Sequence, residues 1–303
     1  MTPIVTKSIE LAKRSLVLET GKLASQATSA VLGRFGDTMV LVAVVEGQER
    51  PDLGYFPLMV EYVERLYAGG KIKGSRWVKR EGRPSDEAIL TARLIDRSIR
   101  PLFPKEYKKE VQVVVTVLSV DGENPPDVLS IITTSAALAI SPIPWNGPIG
   151  AVRIGRVKEK NNGAFEFLVN PESQEVDFSE LDLVVVQTGE KTVMIEAGGR
   201  EIPEDKILEA LSKAESENQK IVNLITEFAK EMGVKKHEVS EGKDFKELIL
   251  RVKKKYQKEL KQEVKTLARK EGGAARGINS LVDKIFDEEG GKEASIENKN
   301  TVK

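Results

Sequence analysis

The residues best suited to chemistry in this chain are cations gathered around one aromatic ring. In the stretch 71–83, Lys71, Lys73, Arg76, Lys79, Arg80 and Arg83 face one acid, Glu81, with Trp77 in their midst. Gly69, Gly70, Gly74 and Gly82 free the backbone for dihedrals that neither strand nor helix uses. Mobile cations follow phosphates, and an exposed ring stacks a base at a worth of roughly 1–3 kcal/mol, so the loop suits single-stranded nucleic acid. Pro84 closes it, and Ser85 is a predicted N-cap with Asp86 and Glu87 in the first turn of a helix. On that helix Ala88, Ala92, Ile95 and Ile99 share one face, while Arg93, Arg97 and Arg100 recur at i, i+4 and i+7 on another. A plainer reading is equally open: Asp96 pairs with Arg100 four residues on, and Trp77 packs against the domain.

Other chemistries find little support. There is no cysteine, which removes disulfides, thiolate metal sites and cysteine nucleophiles. The single histidine, His237, lies in the charged run VKKHEVSEGK and reads as a solvated helix-end residue, not as part of a triad or a multi-histidine site. Lys+Arg and Asp+Glu are equal at 47 each, so affinity for nucleic acid must come from a local patch. No apolar run approaches the ~18 residues of a membrane span, and no signal-peptide core opens the chain, so the expected location is cytoplasmic with no membrane partner.

The elements that must position these residues are mixed. A length of 303 residues with 40% hydrophobic content suggests roughly two soluble domains. Strands are expected at 15–19, 27–32, 38–45 and 58–66, and the strongest at 110–120 (EVQVVVTVLSV). The run 38–45 is nearly all apolar, which suggests cover on both faces. Residues 128–140 read as a buried helix capped by Asp127. Strands follow at 151–157, 165–169, 181–188 and 191–197, with a hairpin turn at Asn161-Asn162-Gly163. From Pro203 apolar residues recur at helical spacing, a charged helix spans 248–269, a short one spans 278–286, and the tail after Gly290 reads as disordered. The expectation is an α/β (α+β) core at 1–202, an all-helical domain at 203–289 and a disordered tail at 290–303.

Several separated motifs, in order, resemble the first core domain of bacterial polynucleotide phosphorylase. They are QATSAVLGRFGDTMVLVAVV, GRPSDEAILTARLIDRSIRPLFP, NPPDV, IPWNGPIGAVRIG and LDLVVVQTGEKTVMIEA. The resemblance covers about the first two hundred residues, and the helical segment is similar to the linker domain of that family. It implies an RNase PH-like β-α core (of the ribosomal protein S5 domain 2 type) and a polyribonucleotide nucleotidyltransferase activity. Such enzymes degrade RNA, including mRNA, processively from the 3′ end. Inorganic phosphate attacks, nucleoside diphosphates leave and Mg2+ assists, in a homotrimeric ring that RNA degradosome components join.

Carried onto this chain, the family's channel loop, usually two aromatics and two arginines, reads Trp77, Val78, Lys79, Arg80, and Arg83 also matches. The implied RNA-binding set is thus Trp77, Lys79, Arg80 and Arg83, joined by Arg93, Arg97 and Arg100 from the helix. The family's catalytic serine-rich turn and aspartate cluster belong to a second core. Here the turn is Pro125-Pro126-Asp127, and the segment 170–182 offers only Asp177 and Asp182, read as exposed strand-edge carboxylates. No catalytic residue or metal ligand is therefore expected, and the chain reads as the non-catalytic first half, truncated before the second core. The alternatives are an inactive RNA-binding or scaffold subunit of an exosome-like ring, and a weakly active single-domain phosphorylase.

Overall fold

The computed structural model describes residues 3–50, 53, 55–72, 83–158, 165–239, 250, 253–259 and 261. Strand β1 (Val5–Leu11) and strand β2 (Arg14–Thr20) pair through a tight turn at Ala12 and Lys13, both with positive φ, as a two-residue hairpin requires. Strands β3 (Ser29–Phe35) and β4 (Thr38–Glu49) continue the antiparallel run. Strand β5 (Leu58–Glu64) then lies parallel to β6 (Lys109–Ser119), giving a six-stranded sheet ordered β1-β2-β3-β4-β6-β5. A parallel pair needs a long crossover, and helix α1 (Asp86–Ile99) lies in it.

Helix α2 (Pro126–Ala139) is buried at every residue from Val128 to Leu138, the small polar Ser130, Thr133, Thr134 and Ser135 included. It packs on β3 and β4 of the first sheet and on β7 (Gly150–Lys158) of the second. That second sheet, ordered β10-β9-β7-β8, also contains β8 (Phe165–Val169), β9 (Leu181–Gln187) and β10 (Thr192–Gly199). Contact between α2 and β3 is close enough that a Cβ on Gly33 would meet Thr133 Oγ1 at 2.0 Å. The expected cover on both faces of β4 is only half realised. Thr38, Val40, Val42 and Val44 are fully buried, whereas Met39, Leu41 and Ala43 are half-buried, because an antiparallel sheet can leave one face towards water.

A short helix α3 (Ser173–Phe178), closed by a Glu172–Glu175 capping box, precedes β9. Helix α4 (Glu204–Met232) then packs on β7, β9, β1 and α2. Its buried stripe includes Ala210, Ala214, Ile221, Ile225 and Phe228. Within it Asn218 donates to the Val185 carbonyl at 3.2 Å and to Gln187 Oε1 at 2.9 Å, and Lys7 of β1 pairs with Glu231 at 2.8 Å.

The first compact unit therefore runs past the expected boundary at 202. It comprises Met1–Glu49 and Pro57–Glu238, because α4 needs the sheets to bury its apolar stripe. The second unit comprises Arg50–Phe56 and Val239–Lys303. Of its expected helices only 250, 253–259 and 261 are described, all helical; the helix at 278–286 and the tail at 290–303 lie outside the described residues, as does the turn at 161–163.

Candidate nucleic-acid interface

Helix α1 begins as its sequence predicts. Ser85 Oγ accepts from the Ala88 amide at 3.1 Å and lies 3.2 Å from Glu64 Oε2 at the end of β5, tying helix start to strand end. Ala88, Ile95 and Ile99 face inward, and the Trp145 indole donates to the Ile99 carbonyl at 3.0 Å. Between α1 and the sheet-edge strand β5 lies a groove of roughly 530 Å³. Val60, Tyr62, Ala88 and Ala92 give it an apolar lining, Arg93 and Arg97 add cations, and Glu61 and Asp96 add carboxylates, the latter held by Arg100. Burial pushes the Tyr62 hydroxyl pKa up, so it stays neutral.

The three arginines of the stripe fare differently. Arg93 is exposed and has no ion pair among the described residues. Arg97 pairs with Glu196 of β10, both more than half exposed, a contact worth little against water. Arg100 is turned away: its Nε donates to Asp96 Oδ1 at 2.7 Å and its Nη2 to the Leu58 carbonyl at 3.1 Å. The Asp96 hydrogen bonds, opposed by partial burial, hold its pKa above the usual guanidinium value. The groove thus gathers Arg93 and Arg97 but not Arg100. Arg83 is exposed just before α1, while Trp77, Lys79 and Arg80 lie outside the described residues. Tyr67, 60% exposed at the loop's entry, is a further stacking candidate that no sequence motif marks.

A second polar cluster stands at the start of α2. The expected cap, Asp127, sits inside the first turn, because Pro125 and Pro126 start the helix earlier. Its Oδ1 accepts from the Val128 amide at 2.7 Å, and its Oδ2 accepts from Arg153 Nη2 at 2.8 Å. Arg153 Nε lies 2.9 Å from Asp182 Oδ1, although the two atoms are not aligned for a hydrogen bond. Asp182 is therefore not a strand-edge carboxylate: it belongs to the inner strand β9 and is half-exposed beside Arg153. Asp177 is exposed on α3.

Nearby, Arg14 donates to Asn124 Oδ1 at 2.6 Å and lies over the Phe35 ring. Asp121 accepts from the amides of Asn124 at 2.7 Å, Glu123 at 2.9 Å and Asp37 at 3.0 Å. Partial burial pushes its pKa up, but these hydrogen bonds prevail and hold the carboxyl well below the usual range. No local spacing announces this cluster, since Arg14 and Asn124 are 110 residues apart.

Residues 12–144 match the model of the 3′ exoribonuclease family, domain 1, and residues 147–217 match domain 2 of the same family. The chain belongs to the 3′ exoribonuclease family. The domain 2 match reaches into α4, in keeping with the packing of that helix on the exoribonuclease core. Among its relatives are proteins named polyribonucleotide nucleotidyltransferase. That of Heliobacterium modesticaldum is 48% identical over 233 residues, covering 77% of this chain and 32% of the relative. That of Caldicellulosiruptor saccharolyticus is 51% identical over 226 residues, with shares of 74% and 31%. That of Thermomicrobium roseum is 50% identical over 241 residues, with shares of 78% and 30%. The chain spans about a third of the length of these relatives. No helix among its described residues is long and apolar enough to cross a membrane.

Proposed function

We propose that this chain is the ring-building, RNA-guiding first core of a polynucleotide phosphorylase, an enzyme that shortens RNA from its 3′ end by phosphorolysis. The observation that carries this reading is the groove between α1 and β5, where Arg93 and Arg97 stand beside apolar lining, next in sequence to Arg83 and the basic loop. Cations at that spacing hold successive phosphates of a single strand, while Trp77, aided by Tyr67, stacks bases. The strand is thereby led towards a catalytic centre supplied by a second core. There an oxygen of inorganic phosphate attacks the terminal phosphodiester, the bond from phosphorus to the 3′ oxygen breaks, and a nucleoside diphosphate leaves.

The chemistry is assigned elsewhere because the α2 turn is already occupied. A helix N-terminus attracts anions, but here the Asp127 carboxylate fills the first turn and holds Arg153, which Asp182 also faces. Magnesium does not fit these residues: among the described residues no group of three or more potential ligands comes together, and Asp127 and Asp182 are turned on a guanidinium. In this reading Mg2+ is held by the second core, three copies form the ring, the assembly is cytoplasmic, and degradosome components dock on the whole enzyme.

The test is direct. Purified chain, incubated with oligoadenylate, inorganic phosphate and Mg2+, should release no nucleoside diphosphate yet bind the labelled oligonucleotide in a salt-dependent way. Diphosphate release that scales with this protein through repeated purification would overturn the non-catalytic assignment. Binding that ignores salt would overturn the guiding role.

A further inference from the structure

Helix α1 runs back along β5, with Ser85 beside Glu64 at one end and Arg100 on the Leu58 carbonyl at the other. The Val111 amide donates to the Pro57 carbonyl at 3.0 Å. In the parallel register Pro57, Met59 and Glu61 therefore turn their backbone groups towards β6, whereas Leu58, Val60 and Tyr62 turn theirs away. Arg100 Nη2 takes the Leu58 carbonyl at 3.1 Å, and no such partner is found for the backbone of Val60 or Tyr62 among the described residues.

The Tyr62 side chain adds a further free group to this wall of the groove. The residue is only 5% exposed, yet its hydroxyl makes no hydrogen bond among the described residues and keeps some contact with water. A phenol set so deeply normally finds a partner, and here the partner must come from whatever enters the groove. The charges are arranged differently. Arg93 and Arg97 of α1 offer cations to phosphate, while the carboxylates of Glu61 and Asp96 repel it, both Asp96 oxygens being already held by Arg100 at 2.7 Å and 2.5 Å. The strand wall thus presents neutral polar groups among apolar ones, which suits the sugar of a nucleotide better than its phosphate.

We propose that Tyr62 reads the sugar: its hydroxyl hydrogen-bonds the ribose 2′-hydroxyl of a strand whose phosphates lie on Arg93 and Arg97, so that the groove prefers RNA to single-stranded DNA. The inference rests on the RNA-guiding reading of this groove and adds a specificity that cations and stacking rings do not supply, since both accept either nucleic acid. A phenol both donates and accepts, as does a 2′-hydroxyl, so the pair can form in either sense. Deoxyribose has no such group and leaves the phenol without a partner, and it is this hydroxyl that lets a protein tell the two sugars apart.

The experiment is titration of the full chain with labelled oligouridylate and oligodeoxyuridylate of equal length at several salt concentrations. Wild type, Tyr62→Phe and the double variant Arg93→Ala with Arg97→Ala are compared, with a melt for each. Wild type should bind the RNA probe more tightly. Tyr62→Phe should weaken RNA binding roughly three- to tenfold, the worth of one hydrogen bond, and leave DNA affinity, salt slope and melting temperature as in wild type. The double arginine variant should weaken both probes alike. An unchanged RNA-to-DNA ratio in Tyr62→Phe overturns the proposal. So does a loss shared equally by both probes, which would make Tyr62 a packing residue. Should Tyr62→Phe not fold, the wild-type ratio decides. Salt-dependent binding of both probes with equal affinity overturns the sugar reading and leaves the guiding role standing, whereas absence of salt-dependent binding overturns both.

Discussion

Arginine 93 and arginine 100 share a helix face in the sequence and part company in the fold. The period of the stripe was legible, and so was the Asp96–Arg100 pair, because both depend only on local spacing. Which cation remains available was not, since it turns on Glu196, met by Arg97 from 99 residues away. Replacing Arg93 and Arg97 together by alanine should weaken single-stranded RNA binding and flatten its salt dependence by about 0.7 log unit for each phosphate that is no longer neutralised. Trp77→Ala should cost roughly 1–3 kcal/mol of binding with little change of slope, because stacking releases no counterions. Arg100→Ala should instead reduce stability by about 1 kcal/mol at most, as for a half-exposed pair, seen as a lower melting temperature, and leave the slope alone. Titration of a labelled oligonucleotide at several salt concentrations, with a melt for each variant, separates the three. Asp121 supplies a pH prediction. Its folded pKa lies below that of the unfolded chain, so its contribution is complete above the usual carboxylate pKa and is lost as pH falls through and below it. Asp121→Asn should therefore melt lower at pH 7 and show a shallower further loss between about pH 5 and pH 2 than wild type.

At the scale of elements, strands β2 to β10 were readable within a few residues, because alternation and β-branched runs survive in half-buried strands. Strand β1 carries no such signal: its interior, Thr6 to Glu10, alternates exposed and half-buried residues, as suits a sheet edge. Helix α4 was recognisable as a helix but not as part of the first unit. Periodicity shows that a helix has an apolar stripe without showing what covers it, and here β7, β9, β1 and α2 do. A chain ending at residue 202 should thus lose cooperative unfolding or precipitate, whereas one ending at 238 should melt in a single transition, as calorimetry would show. Gly33 makes a finer test. Thr133 is β-branched, and its Oγ1 is bonded to the Leu129 carbonyl at 2.7 Å, so it has little room to yield. Gly33→Ala should cost about 1–3 kcal/mol, the usual penalty for overpacking, measured by denaturant midpoint.

For the whole molecule, the half-buried outer face of β4 and β6 leaves Met39, Leu41 and Val114 partly open to water. Apolar surface of that kind favours association, and light scattering at tens of micromolar, roughly the range where mass action reveals it, should show species larger than a monomer. A clean monomer would count against a ring built by this unit alone. The crossover between the parallel strands β5 and β6 carries a different kind of consequence. The register of both strands is fixed by their pairing with each other and of β6 with β4, not by the chain that joins them. Doubling a flexible connection adds only about 0.6 kcal/mol to the entropy of closing it. The pairing of β5 with β6 is therefore a property of the strands themselves, and a longer crossover between them would cost the fold little.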